Sequence, residues 1–143
     1  MKQSLLIACC VFLFAAVSCS QKLKEKDLPA PVLTAIAKAY PNPGKVSWSK
    51  EDENSYEASF TYNGKETSVV YSKDGELLET ESEITVNELP AAVKEYITKN
   101  YKNAKIAEAT KIIKKDGAIA YEAEVNKKDL LFDASGVLLP TDK

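Results

Sequence analysis

Three glutamates, Glu57, Glu122 and Glu124, stand in segments where apolar and polar residues alternate. Two carboxyl groups held together in a pocket can serve as general acid and general base, so these residues are the first candidates for catalysis. Alternation, however, is typical of a strand with one buried and one solvated face, and it puts the glutamates on the solvated face. We interpret them as parts of a polar sheet face and predict no catalytic residue among them.

The other side chains that commonly carry catalysis are missing. The chain of 143 residues contains no His, and its 19 basic residues are all Lys. It therefore lacks the commonest general base and metal ligand, and it lacks the planar guanidinium that binds phosphates. Serines are present, but no Gly-x-Ser-x-Gly turn accompanies them. The composition predicts a protein that is not an enzyme and that carries no cofactor.

Charge gives two further predictions. A formal net charge of -2 provides no field that would attract nucleic acid, so no nucleic-acid partner is expected. The acidic run Glu51-Asp52-Glu53-Asn54 offers oxygen ligands of the kind that calcium prefers, yet it lacks the ligand spacing of a calcium loop. We interpret the run as a solvated turn and predict no metal site.

The three cysteines all lie near the start of the chain, as Cys9, Cys10 and Cys19. The body of the protein therefore has no disulfide, no thiolate nucleophile and no cysteine-based metal site. Its stability must come from its hydrophobic core.

Residues 1–18 predict a secretory signal peptide. Lys2 precedes an apolar run of about 13 residues, which is too short to span a membrane as a helix. The run Ala16-Val17-Ser18-Cys19 resembles a bacterial lipobox, with Ala where Leu is usual. Ordinary cleavage near Ser18, which would leave Cys19 free, is the alternative. We expect lipidation of Cys19, contact with the membrane through that lipid alone, and a polar tether over residues 19–27.

Each half of the remaining chain begins with the same pattern. Residues 28–40 and 89–101 share Leu, Pro, Ala, Val, Ile and Tyr at equal offsets. Pro is compatible with the first turn of a helix, because N–H groups there have no intrahelical partner. A spacing of four residues puts the larger apolar side chains on one side of each helix. The two predicted stripes are Leu28, Val32, Ile36 and Tyr40 and, in the second half, Leu89, Val93, Ile97 and Tyr101.

Four short segments with strand-like alternation follow each predicted helix. Asn63-Gly64 is a strong signal for a type I′ hairpin turn between two of them. Residues 79–83 are interpreted as an acidic passage towards the second half. The predicted strands are residues 45–51, 55–62, 65–71 and 76–81 and then 104–113, 119–126, 129–133 and 137–139.

These patterns predict an α+β protein made of two tandem helix-plus-four-strand antiparallel repeats, residues 28–83 and 84–143. The halves could fold as two independent beads or share one sheet of about eight strands. A half of about 55 residues buries little core and leaves strand edges unpaired. We therefore expect a shared sheet with the helices on one face, and residues 28–143 as one compact unit.

The tandem arrangement resembles a known family. A leader is followed twice by a Leu-Pro-x-x-Val-x-x-x-Ile-x-x-x-Tyr helix, and each helix leads into a meander with a matching strand, Tyr56-Glu57-Ala58 or Tyr121-Glu122-Ala123. With the Lys-Asp-Gly turns that follow, this resembles the putative beta-lactamase-inhibitor-like, PepSY-like proteins of Bacteroidetes-type cell envelopes. The resemblance implies a helix packed on an antiparallel sheet, repeated, and a non-enzymatic binding or inhibitor-like module. It implies no catalytic residues.

The sheet face opposite the predicted helices is the remaining candidate site. Aromatic anchors and polar side chains on a broad surface commonly form protein interfaces. Trp48, the only Trp, fits such an interface, or it caps the core beside Val46. The predicted binding residues are Trp48, Glu57, Ser59, Thr61, Val70, Glu122 and Glu124.

The functional expectation is a non-enzymatic, inhibitor-like binding module, located in the periplasm or anchored to the outer membrane. Its partner would be an unidentified protein or peptide that contacts the open sheet face. A protein that binds small ligands or calcium in the envelope is the alternative.

Overall fold

The structure, a computed structural model, describes residues 22–140, in which the strands of one antiparallel sheet follow one another in chain order. Along the chain, one helix follows the first strand and a second helix follows the fifth strand. The predicted signal peptide and Cys19 are outside the described residues. The elements are β1 Lys22–Leu23, α1 Ala30–Ala39, β2 Ser47–Lys50, β3 Ser55–Tyr62, β4 Lys65–Ser72, β5 Leu77–Glu83, α2 Ala91–Asn100, β6 Ile106–Lys114, β7 Ile119–Val125 and β8 Lys128–Asp133.

Both helices lie within the predicted ranges, residues 28–40 and 89–101, and each begins two residues after the start of its pattern. Pro29 and Pro90 stand immediately before the first helical residues, with extended backbones that direct the chain into the helix. At the other end, the N–H of Tyr40 donates to the carbonyl of Ile36 over 2.8 Å, and the chain then reaches Pro41. Neither helix within residues 22–140 is long and apolar enough to cross a membrane.

The core lies on one face of the sheet, between the strands and the two helices. Val32 and Ile36 of α1 are buried with Ala58 and Val69 of the sheet, and the corresponding residues of α2 are buried with sheet residues of the second half. Cross-strand partners share a face, and one row of pairs runs from Trp48 through Ala58, Val69, Thr80 and Ile113 to Ile119. Both helices therefore cover the same face. The predicted α+β class and the single joined sheet are confirmed.

Several strand boundaries differ from prediction. β5 continues to Glu83, beyond the predicted strand of residues 76–81, because residues 79–82 pair with β4 and residues 79–83 pair with β6. β2 and β6 each begin two residues later than predicted, at Ser47 and Ile106. Residues 137–139 make a single bridge, Phe132 to Leu138, and the N–H of Leu139 then donates to the carbonyl of Leu131. Lys22–Leu23 adds a short strand against β2. The β5–β6 pairing is the join between the two halves.

Two turn glycines fix how each helix sits on its strands. Gly75 has φ +82°, and a Cβ added there would lie 2.6 Å from the carbonyl oxygen of Pro31 in the first turn of α1. Gly136 has φ +86°, and its added Cβ would lie 2.5 Å from the Cβ of Ala92 in the first turn of α2. No side chain fits at either place unless the helix moves away from the turn.

Gly117 offers a matched control for this close approach, because it has the same φ of +82° as Gly75 but no neighbour within 4 Å. Both Gly75→Ala and Gly117→Ala strain the backbone, whereas only Gly75→Ala also overpacks the helix. We expect Gly75→Ala to lower the free energy of unfolding by about 1–3 kcal/mol more than Gly117→Ala does, as measured by urea denaturation. Equal losses for the two variants would show that the contact with Pro31 contributes nothing.

Candidate functional site: the open sheet face

The face of the sheet that carries no helix is here called the open face. Cross-strand pairing of Glu57 with Val70, and of Thr110 with Glu122, identifies the side chains that share it. Because side chains alternate along a strand, every second residue from these positions also points to the open face. The predicted residues Glu57, Ser59, Thr61, Val70, Glu122 and Glu124 all lie on this face.

Trp48 is placed apart from the other predicted binding residues. It pairs with Ala58, is only 5% exposed, and packs in the core with residues of α1. Its neighbours Ser47 and Ser49 take the open-face positions of β2 instead. The alternation of side chains along β2 therefore places Trp48 in the core, which was the alternative interpretation of this residue.

A cleft of about 710 Å³ crosses the open face over the middle strands. Within the described residues, seven carboxylic acids but a single lysine, Lys45, line it. The acids come from strands of both halves, so the cleft exists only because the halves share a sheet. They are Glu66, Glu81, Glu83, Glu108, Glu122, Glu124 and Asp129.

Glu57 is held in place by three serine hydroxyls. Ser49 Oγ donates to Glu57 Oε2 over 2.8 Å, Ser68 Oγ donates to Glu57 Oε1, and Ser59 Oγ lies 3.5 Å from the same oxygen. The hydroxyls come from β2, β4 and β3 respectively. Hydrogen bonds to an ionised group are stronger than neutral ones, so Glu57 is a structural carboxylate as well as a surface charge.

Glu79 and Glu81 form a carboxyl pair at the centre of the sheet. They lie two residues apart on β5, so their side chains point to the same face of the sheet. Burial, followed by the charges of Glu79 and Glu122, raises the pKa of Glu81 to about 8. Burial also raises the pKa of Glu79, although Lys114, whose Nζ lies 3.8 Å from Glu79 Oε2, opposes this effect.

A second group of carboxyls lies across β6 from this pair. Burial raises the pKa of Glu122 to about 7, with further contributions from Asp129, Glu108 and Glu124. Burial and Glu108 also raise the pKa of Asp129. The two groups are electrostatically linked, since Glu122 is one of the charges that raise the pKa of Glu81. Repulsion between like charges therefore extends across the join between the halves.

Sequence reasoning predicted a strand over residues 76–81 but interpreted residues 79–83 as an acidic passage, so it did not include Glu79, Glu81 and Glu83 in the candidate site. The available signal was the alternation of glutamate with Thr80 and Ser82, which is the period of a strand. Register places the three glutamates on the open face and leaves Thr80 and Ser82 on the helix-covered face. The acidic run is the end of a strand that pairs with neighbouring strands on both edges.

One part of the open face is apolar and covered. Ile112, Ala120 and Leu131 form a small buried cluster there, and Leu139 packs on it from the C-terminal segment. Leu131 is 2% exposed for this reason. The exposed remainder of the open face is thus dominated by the acidic cleft.

The acidic turn that was considered for calcium has a simpler local role. Asp52 Oδ1 accepts a hydrogen bond of 2.6 Å from the backbone N–H of Asn54, which closes the turn between β2 and β3. Over residues 22–140, no group of three or more His, Cys, Asp or Glu side chains is arranged to hold a metal ion.

The family pattern described as putative beta-lactamase-inhibitor-like, PepSY-like matches the chain twice, over residues 16–78 and 54–140. The chain belongs to this family. Its sequence resemblance to that family, noted from the repeated helices and strands, is thereby confirmed. No curated protein matches the chain significantly.

Solved structures with the same fold come from Bacteroides species. A putative periplasmic protein from Bacteroides eggerthii is 25% identical, with a TM-score of 0.71 over 80% of this chain and 88% of that chain. A DUF2874 family protein from Bacteroides uniformis is 26% identical, with a TM-score of 0.68 over 78% of this chain and 86% of that chain. A BLIP-like protein from Bacteroides fragilis, 24% identical, has a TM-score of 0.61 over 80% of this chain and 85% of that chain.

The raised carboxyl pKa values predict how stability depends on pH. Glu81 and Glu122 have pKa values of about 8 and about 7 in the folded chain, against an ordinary value of 4.5. The folded state therefore binds protons more tightly, and the stability it gains is complete below pH 4.5 and is lost as the pH rises through 7 and 8. We expect the thermal midpoint to fall by at least about 4 °C between mildly acidic and mildly alkaline buffer, the shift that roughly 1 kcal/mol produces in a small domain.

Circular dichroism melting at a series of pH values measures this effect. Glu81→Gln should flatten the profile, because the amide cannot lose a proton, whereas Glu95→Gln on the exposed side of α2 should leave it unchanged. A midpoint that rises with pH over this range would contradict the assignment of protonated carboxyls to the open face.

Proposed function

We propose that the protein is a non-enzymatic binding module of the cell envelope, and that its open face docks a protein or peptide partner. The observation that carries the proposal is a sheet face without helices whose cleft is lined, within residues 22–140, by seven carboxylic acids and one lysine. The family description as inhibitor-like supports a binding role. The missing histidine and the absence of a thiol beyond Cys19 argue against catalysis at this face.

The negative charges that line the cleft indicate the chemistry of a partner that would fit it. Seven acids and one lysine line the cleft described above, so a segment rich in Lys or Arg would meet a field of opposite sign along its length. Glu66 and Glu83 are exposed and are available for direct ion pairs, while the backbone N–H of Glu66 lies 3.5 Å from Glu83 Oε2 and links β4 to β5 at that point. The occupant that fits is a cationic polypeptide segment.

The site of action is proposed to be the periplasm. The similar structure from Bacteroides eggerthii is described as a periplasmic protein, and residues 1–18 of this chain predict export. Lipidation of Cys19 would hold the chain at the membrane. A cleavage product without lipid would act in the same compartment.

We also infer that the two halves are copies of one unit. The family pattern matches the chain twice, and the contacts of Gly75 with Pro31 and of Gly136 with Ala92 occur at offsets that are the same in each half. Joining the copies through β5 and β6 doubles the width of the open face. The docking surface is proposed to be a product of that duplication.

Binding of a short oligolysine peptide, measured by isothermal titration calorimetry at low salt, tests the docking proposal. Exposed ion pairs are worth up to about 1 kcal/mol each, so the double variant Glu66→Gln, Glu83→Gln should bind roughly tenfold more weakly than the parent chain. The double variant Glu25→Gln, Glu95→Gln removes the same charge from other surfaces and should bind normally. Binding should also weaken as salt is added.

Equal weakening by both double variants would show that net charge alone attracts the peptide and would contradict docking on the open face. Absence of peptide binding at low salt would contradict the cationic partner. Tight binding of calcium alone, without peptide binding, would favour the small-ligand or calcium alternative.

A further inference from the structure

The spacing of the open-face carboxyls makes their ionisation interdependent. Glu57, Glu79 and Lys114 lie in one cross-strand row, with Val70 between the two glutamates. Alternate strands of a sheet are about 10 Å apart, which is close to the screening length at moderate salt. Glu81 lies two residues from Glu79 on the same face of β5, and it lines the acidic cleft together with Glu122. These groups cannot all carry full charge without strong mutual repulsion.

The charged groups that face Glu81 come from every neighbouring strand. On β5 itself Glu79 and Glu83 flank it, and on the two sides lie acids of β3, β4 and β7 together with Lys114 of β6. Glu122 faces a similar set from β6, β7 and β8. The groups beyond β5 are Glu57, Glu66, Glu108, Glu122, Glu124 and Asp129, and the cations are Lys45 at the cleft and Lys114.

A docked cation shifts the equilibrium between the protonated and the ionised form of these carboxyl groups. A protonated carboxyl is favoured while burial and like charges surround it, and an opposite charge within a few ångströms favours the ionised form. When a lysine ammonium enters the cleft, the O–H bond of a protonated glutamate breaks, the proton passes to the buffer, and the carboxylate keeps the electron pair. The cation thus replaces the proton as the counter-charge.

We propose that the open face is a proton-gated docking surface, on which carboxyl groups of β5 and β7 hold protons while the face is empty and release them when a cationic segment docks. This inference rests on the proposed function and specifies its regulation. It predicts that capture strengthens as the pH rises from mildly acidic to mildly alkaline values. The affinity should increase by up to about tenfold per pH unit for each proton released, which is the limit set by the thermodynamic linkage between proton release and binding.

The first measurement is the protonation state of the free protein. Carbon-detected NMR titration of the side-chain carboxyl groups follows Glu81 and Glu122 individually. We expect both to titrate well above 4.5, the ordinary value for a glutamate carboxyl. Titration of Glu81 and Glu122 at that ordinary value would overturn the inference, whatever the peptide does.

The second measurement is proton release on binding. Calorimetry of oligolysine binding near pH 7 is repeated in two buffers with different ionisation enthalpies, and the difference in heat gives the number of protons released. We expect net release from the parent chain, less release from Glu81→Gln and from Glu122→Gln, and parent-like release from Glu95→Gln. The variants with a permanently neutral amide should also show a flatter dependence of affinity on pH.

The outcomes separate the two proposals. Binding to the open face without proton release, or with release that Glu81→Gln and Glu122→Gln leave unchanged, would overturn the proton gate and leave the docking function standing. Failure of the peptide to bind at any pH would overturn the docking function and the gate with it. Binding with release that both variants reduce would support both.

Discussion

Pairing of β5 with β6 is the interaction on which the rest of the structure depends. It joins a helix and its strands in the first half to a helix and its strands in the second, through cross-strand pairs that run from Glu79–Lys114 to Glu83–Thr110. Without it each half would expose a strand edge with unpaired backbone groups and would bury only a small core. With it, one sheet has two helices on one face, and on the other it has an acidic cleft beside a small apolar cluster that Leu139 covers.

The two faces of the sheet follow from this register. The apolar side chains of the two helices pack against one face of the sheet. Because side chains alternate along a strand, the intervening residues point to the open face. Serines and glutamates occupy most of those positions, and Glu57 and its three hydroxyl donors form one local arrangement of them. A shift of one residue in β5 would bury its glutamates under the helices, so the core and the acidic cleft fix the same register.

The carboxyl groups at the centre of the open face lower the stability of the folded protein, and folding does not require them there. Burial and mutual repulsion favour protonation of Glu81 and Glu122, and Lys114 offsets part of this at Glu79. Natural proteins often have lower local stability at functional sites. A surface that destabilises the free protein is therefore often one that a bound partner stabilises. The inhibitor-like description of the family agrees with a binding role for the protein.

The sequence by itself determined the local structure. The apolar stripe beginning Leu28, Val32 and Ile36 predicts α1, because spacing of four is a property of a single helix, and Asn63-Gly64 predicts a turn whose two positive φ values, 51° and 78°, are those expected. Strict alternation in β3 placed Glu57, Ser59 and Thr61 on one face before any partner strand was known. Each of these features depends on residues within about ten positions of one another.

Only the tertiary structure decided which distant residues meet. The sequence gives no distance between β5 and β7, so it could not show that Glu81 and Glu122 influence each other or that residues 79–83 are the central strand. Trp48 shows the same limit, since a strand of four residues has too few alternations to fix its phase until Ala58 lies beside it. Periodicity reports which residues of one element share a face, whereas the environment of a carboxyl group depends on charges brought near it by pairing between elements.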